Sequence, residues 1–222
     1  MMENKYGFPL LGAAALAMVL TACGPAEPDQ ELPDNPSPQT AVPTTPGATP
    51  GGPAASGSPS TPAGAESEVS AKFESYSAGA TAITYDPQRV PVGAEVEVEA
   101  ENEDGGTKVK LKVEGLEADT AFGSHVHVAA CGESPDDAGP HYQDKADPQK
   151  PSTDPKYANP QNEVWLDFTT DSKGEGEAES KVGWTLREGE GQSVVIHAMP
   201  TMTEAGKAGT AGDRLACINI RQ

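Results

Sequence analysis

The sequence predicts an all-β fold, a sandwich or barrel of short antiparallel strands. Three observations predict it: apolar and polar residues alternate with period two in several short runs, Gly-rich turns separate those runs, and no segment carries helical periodicity. Glu95-Val96-Glu97-Val98-Glu99 alternates, and so does Lys108-Val109-Lys110-Leu111-Lys112-Val113. Between them Glu103-Asp104-Gly105-Gly106 reads as a hairpin turn, because glycine accepts positive φ. The valines then share one face, while glutamates and lysines meet across the other and fix the register, for about 0.2–1 kcal/mol per pair. Val164-Trp165-Leu166-Asp167-Phe168 is a further strand with a turn after it at Asp171-Ser172-Lys173-Gly174, and Ser193-Val194-Val195-Ile196-His197 is a compact apolar strand ending in histidine. The Pro-, Asp- and Asn-rich stretch from Gly132 to Asn162 is a loop whose length marks it as functional.

Composition sets the domain plan. The chain has 222 residues with a formal net charge of −19, which argues against affinity for nucleic acid or anionic membrane surfaces. Aromatic residues make up 5%, so the core is small and aliphatic. Residues 1–22 read as a signal peptide: the apolar stretch from Phe8 to Leu20 is shorter than the ~20 residues a spanning helix needs. It ends in Leu20-Thr21-Ala22-Cys23-Gly24, which resembles a bacterial lipobox and makes Cys23 the lipidated residue of the mature chain. Acyl chains would then hold the protein to the bacterial cell membrane, at about 0.8 kcal/mol per buried methylene. Residues 23–66 are a Pro/Ala/Gly/Ser/Thr-rich tether; from Gly24 to about Ala65 it has no Lys, Arg or aromatic residue and cannot bury enough apolar surface to order itself. Residues 67–222 form the β domain, expected on the extracytoplasmic side of the membrane.

Four histidines carry the chemistry. In His125-Val126-His127 the two imidazoles stand at strand spacing, so both point to one face with Val126 behind them, a two-point metal clamp. Such a pair alone is a weak signal. Cys131 follows, then Gly139-Pro140-His141-Tyr142 in the long loop, His197 at a strand end, and Gly212-Asp213-Arg214-Leu215-Ala216-Cys217 near the terminus.

This order of five motifs, over roughly Val109 to Cys217, resembles the copper/zinc superoxide dismutase family. The resemblance implies an antiparallel Greek-key sandwich of about eight strands with long metal-site loops. It implies copper as cofactor, superoxide as substrate, and His125, His127, His141 and His197 as copper ligands, His141 being the one that bridges to zinc in a complete site. Four nitrogens suit Cu(II) and three suffice for Cu(I), and His141 could carry a proton when it releases the metal. Arg214 corresponds to the arginine that guides the anion, with Lys207 as additional steering. Cys131 and Cys217 correspond to the family's disulfide, which closes a loop of about 86 residues and stabilises by roughly 4 kcal/mol. With Cys23 lipidated, no free thiol remains.

The sequence departs from the family on the zinc side. No histidine lies between His141 and His197, and the segment Tyr157–Glu163 offers only Glu163. Asp144, Asp147 and Asp154 read as solvated loop carboxylates rather than zinc ligands. Thr201 falls near the place of the aspartate that links the two metals, and nothing identifies what supports His141. The expectation is a copper-only dismutase, with zinc absent or weakly held. The alternative is a copper-binding or copper-delivery lipoprotein with the dismutase fold and little activity. Family members differ in dimerisation, and no long apolar surface stripe decides whether this chain forms a homodimer.

Overall fold

The computed structural model describes residues 67–220. The expected signal peptide, Cys23 and the tether lie outside the described residues. Nine strands follow in order: β1 Ser67–Lys72, β2 Ala82–Thr84, β3 Glu95–Glu103, β4 Gly106–Glu114, β5 Ala121–His127, β6 Phe168–Thr169, β7 Gly176–Val182, β8 Ser193–His197 and β9 Arg214–Asn219. They form two antiparallel sheets, β1-β3-β4-β7 and β2-β9-β8-β5-β6. The architecture is therefore a sandwich and not a closed barrel. The count is close to the expected eight, and the shortest strands are β6, two residues, and β2, three residues pairing with the middle of β9.

The β3–β4 hairpin forms as its sequence dictates. Asp104 and Gly105 hold φ of 48° and 82°, the two positive values of a two-residue type I′ turn. That turn sets a register in which Glu97 faces Lys112, Glu99 faces Lys110 and Glu101 faces Lys108. Glu95 faces Glu114, and its carboxylate turns to Lys72 of β1 at 2.7 Å, relieving the like-charge pair. On the inner face Val96, Val98, Val109, Leu111 and Val113 are buried against Phe122, Val126, Val194, Ile196 and Ile218 of the other sheet. Each such side chain contributes about 1.5–3 kcal/mol through burial.

What matters for the site is that β5 and β8 are buried on both faces. Phe122 and Val126 enter the core, while Gly123, His125 and His127 face outward beneath the loops. Gly123 is required there: a Cβ would lie 2.6 Å from the Met199 carbonyl oxygen and 2.7 Å from the Ala211 Cβ. Its absence lets the loop after β8 settle onto β5. The stretch Val164–Phe168 keeps the predicted alternation, with Val164, Leu166 and Phe168 buried, but only Phe168–Thr169 is paired as a strand. The preceding loop is tightly organised. Ser134 and Asp137 cap the 3-10 turn Pro135–Ala138 reciprocally, and Asn162 accepts from the Lys145 amide while donating to the Lys145 and Tyr157 carbonyls.

Candidate metal centre

Three elements bring four imidazoles to a common point, β5 delivering two of them. His125 and His127 stand on β5, His197 ends β8 at a register shift opposite Arg214, and His141 is brought in by the loop through a bridge to His127. One ligand atom from each of the four rings lies within 4.8 Å of the others. His125 and His127 are fully buried, His197 nearly so, and His141 keeps 17% of its side chain accessible.

The outward nitrogen of each ring has an acceptor, which decides which nitrogen is left to face the centre. His127 Nδ1 donates to the Gly139 carbonyl at 2.9 Å, His197 Nδ1 to the Gly212 carbonyl at 3.4 Å and His141 Nδ1 to Glu163 Oε2 at 2.9 Å. Each of these presents Nε2. His125 is turned the other way: its Nε2 lies 2.7 Å from Thr201 Oγ1, and its Nδ1 is buried without any hydrogen-bond partner. An orphaned buried nitrogen costs free energy unless something coordinates it. Three Nε2 lone pairs and one Nδ1 lone pair therefore converge on one point.

His125, His127 and His197 are held neutral, as ligands must be. Burial, reinforced by the neighbouring imidazoles, holds His125 and His127 well below the ordinary histidine value, and burial brings His197 down to about 3. This predicts a pH effect on the metal-free protein. In the unfolded chain these rings take up protons near pH 6.5, whereas folded His197 does so only near 3. Between those values the unfolded state binds more protons, so stability falls as pH falls, by at most about 1.4 kcal/mol per pH unit for each ring. Urea unfolding of metal-free protein between pH 6.5 and 5, above the carboxylate range, will show the midpoint dropping with pH. A flat midpoint would contradict buried neutral imidazoles.

Glu163, buried to 1% exposure, is the hub that sequence reasoning saw only as a lone carboxylate. It accepts from His141 Nδ1, from Trp165 Nε1 at 2.7 Å and from Gln143 Nε2 at 2.7 Å. Gln143 continues to Ser152, whose hydroxyl donates to Asp147 at 2.9 Å. Asp147 is thus buried in a loop network and is not the solvated carboxylate expected for it. The nitrogen of His141 that would meet zinc in a complete family site meets this carboxylate instead.

Arg214 stands at the edge of the cluster. Its guanidinium donates to the Pro135 carbonyl at 2.8 Å and to the Gly139 carbonyl at 2.7 Å, so Gly139 links the arginine and His127 through one oxygen. Partial burial lowers its pKa from the ordinary arginine value. Cys131 and Cys217 form a disulfide that ties this loop to β9. A cavity of about 690 Å³ opens onto the site, lined by His141, His197 and Arg214 and also by Lys150 and Thr153. Lys207 does not line it; its side chain is exposed elsewhere on the loop after β8. Lys150 is the lysine on this cavity's wall.

The model of the family "copper/zinc superoxide dismutase" matches residues 92–220, which spans every residue of this centre. The chain belongs to the copper/zinc superoxide dismutase family. Among curated proteins none matches. A solved structure with a similar fold is the Cu/Zn superoxide dismutase from Brucella abortus, at 21% identity, covering 69% of this chain and 99% of that one, with a TM-score of 0.46. Family and geometry agree on copper: four converging imidazoles, one with an otherwise orphaned nitrogen, are a donor set that suits its two oxidation states.

Proposed function

We propose that the chain is an extracytoplasmic, lipid-anchored superoxide dismutase that works with copper alone. Membership of the dismutase family supports a dismutase-like function. The observation that carries the finer reading is that four converging imidazoles sit beside a fixed arginine at the foot of an open cavity, with Glu163 on the far nitrogen of His141. When bound, copper supplies the one-electron couple by which one superoxide is oxidised to dioxygen and a second is reduced, with two protons, to hydrogen peroxide.

The protein's own residues do the rest. Arg214, pinned by two carbonyls, presents a cation that cannot swing away and attracts the small anion into the cavity. That local charge works against a domain with 28 acidic and 14 basic residues from position 67 onward. Lys150 adds a second positive charge to the wall. His141 is the one ring of the four with appreciable access to the cavity, so its Nε2 is where the site can hold a proton. A protonated His141 would form an ion pair with buried Glu163, which keeps the ring in place through that change. Glu163 thus does for the ring's orientation what a second metal would do, and this is why copper alone suffices in the proposal. The lipobox-like segment at Cys23 and the disulfide both suit an oxidising, extracytoplasmic location.

Arg214→Ala tests the reading. In copper-loaded protein it will lower kcat/KM by roughly 10- to 100-fold and flatten the decline of rate with ionic strength, while copper content stays at one per chain. Unchanged turnover and salt dependence in Arg214→Ala, together with ready transfer of copper to an acceptor protein, would replace the dismutase reading with copper delivery.

A further inference from the structure

His125 is the exception among the four rings, because it presents Nδ1 and not Nε2. For that nitrogen to be a free lone pair, the ring proton must sit on Nε2, and Nε2 needs an acceptor. Among the described residues the group at that distance is the Thr201 hydroxyl, 2.7 Å away. A hydroxyl can accept or donate, so on its own it would leave the tautomer undecided.

Asp167 decides it. Thr201 Oγ1 lies 2.6 Å from Asp167 Oδ1, and the Thr201 amide donates to Oδ2 of the same carboxylate at 2.8 Å. The Ser124 amide, next to His125 on β5, also donates to Oδ1 at 3.2 Å. An ionised carboxylate only accepts. The Thr201 hydroxyl proton is therefore directed at Asp167, which leaves an oxygen lone pair for His125 Nε2–H. Every step of this chain has one permitted direction. Gly123 makes it possible, since its missing Cβ lets Thr201 approach within reach of the ring.

We infer that Asp167, acting through Thr201, sets the tautomer of His125 and so makes Nδ1 the nitrogen offered to metal. Both are positioning residues, and the inference rests on the copper-site reading above. The two come from segments 34 positions apart, one before β6 and one after β8. They clamp the loop after β8 to the strand that carries the ligands.

The test uses the full chain, metal-free and then with copper(II) alone, and needs no superoxide. In metal-free wild type, nitrogen-15 NMR of the histidines will report His125 with its proton on Nε2. Asp167→Asn can aim an amide N–H at Thr201 Oγ1, turning the hydroxyl proton toward the ring, and will shift His125 toward the Nδ1-protonated form. Thr201→Val removes the acceptor at nearly constant volume. Both variants will bind copper about 10- to 100-fold more weakly in competition with a chelator, whereas Thr201→Ser will bind as wild type does. Retention of the Nε2 proton and of wild-type copper affinity in Asp167→Asn would overturn the inference. So would equal losses in Thr201→Ser and Thr201→Val, because a packing role and not a hydroxyl would then be at work. Tight copper binding with the expected tautomer but no dismutation would defeat the functional reading and leave this inference standing.

Discussion

Replacing Glu163 with leucine will destabilise the metal-free domain by about 3 kcal/mol, because three donors that now converge on one buried carboxylate lose their acceptor. For a domain of this size that is a fall in Tm of roughly 10 °C. The effect on metal is expected to be larger than the loss of stability alone implies. Copper affinity will drop about 10- to 100-fold, since the His141 ring is freed to rotate and its Nε2 no longer points at the other three. Glu163→Gln will be milder: its one oxygen can still accept from His141 and Trp165, while its amide meets the Gln143 donor. Calorimetry on the metal-free forms and chelator competition on the loaded ones separate the two effects. A Leu variant with wild-type copper affinity would mean that His141 is oriented by its loop without Glu163.

Removing the disulfide, as Cys131→Ser with Cys217→Ser, has the other large expected effect. The bond closes a separation of 86 residues and stabilises by about 4 kcal/mol in the chain-entropy account. Tm should fall by roughly 8–16 °C. Cys217 is fully buried and packs with Val195 and Ala138, so the serine hydroxyls add a desolvation cost. Activity should fall even at temperatures where the variant is folded, since Pro135 and Gly139 lie in the loop that the disulfide ties down and their carbonyls fix Arg214 and His127. A folded variant with unchanged turnover and salt dependence would show that the capped 3-10 turn holds those carbonyls unaided.

The parts of the fold legible in the sequence were those governed by local periodicity. The β3–β4 hairpin follows from alternation over Glu95–Val113 and from Asp104-Gly105, whose two-residue turn sets the register. The strand β2, with three residues, is too short to show a period. The four ligands were legible because strand spacing and motif order mark them. Their partners were not, since those contacts are tertiary. Glu163 reaches His141 across 22 positions, and Thr201 reaches His125 across 76. Two partners do carry a sequence signal: Trp165 and Asp167 alternate with the core residues Val164, Leu166 and Phe168, which places both on the face turned toward the site. Lys207 lies near Arg214 in sequence only, whereas Lys150 reaches the cavity wall from the other loop.

The measurement closest to the central claim is superoxide consumption by the purified protein loaded with copper alone, and then with copper and zinc. The account predicts rapid consumption with copper alone and no gain on adding zinc, because Glu163 already occupies the far side of His141. One copper bound per chain with negligible consumption in both preparations would contradict it.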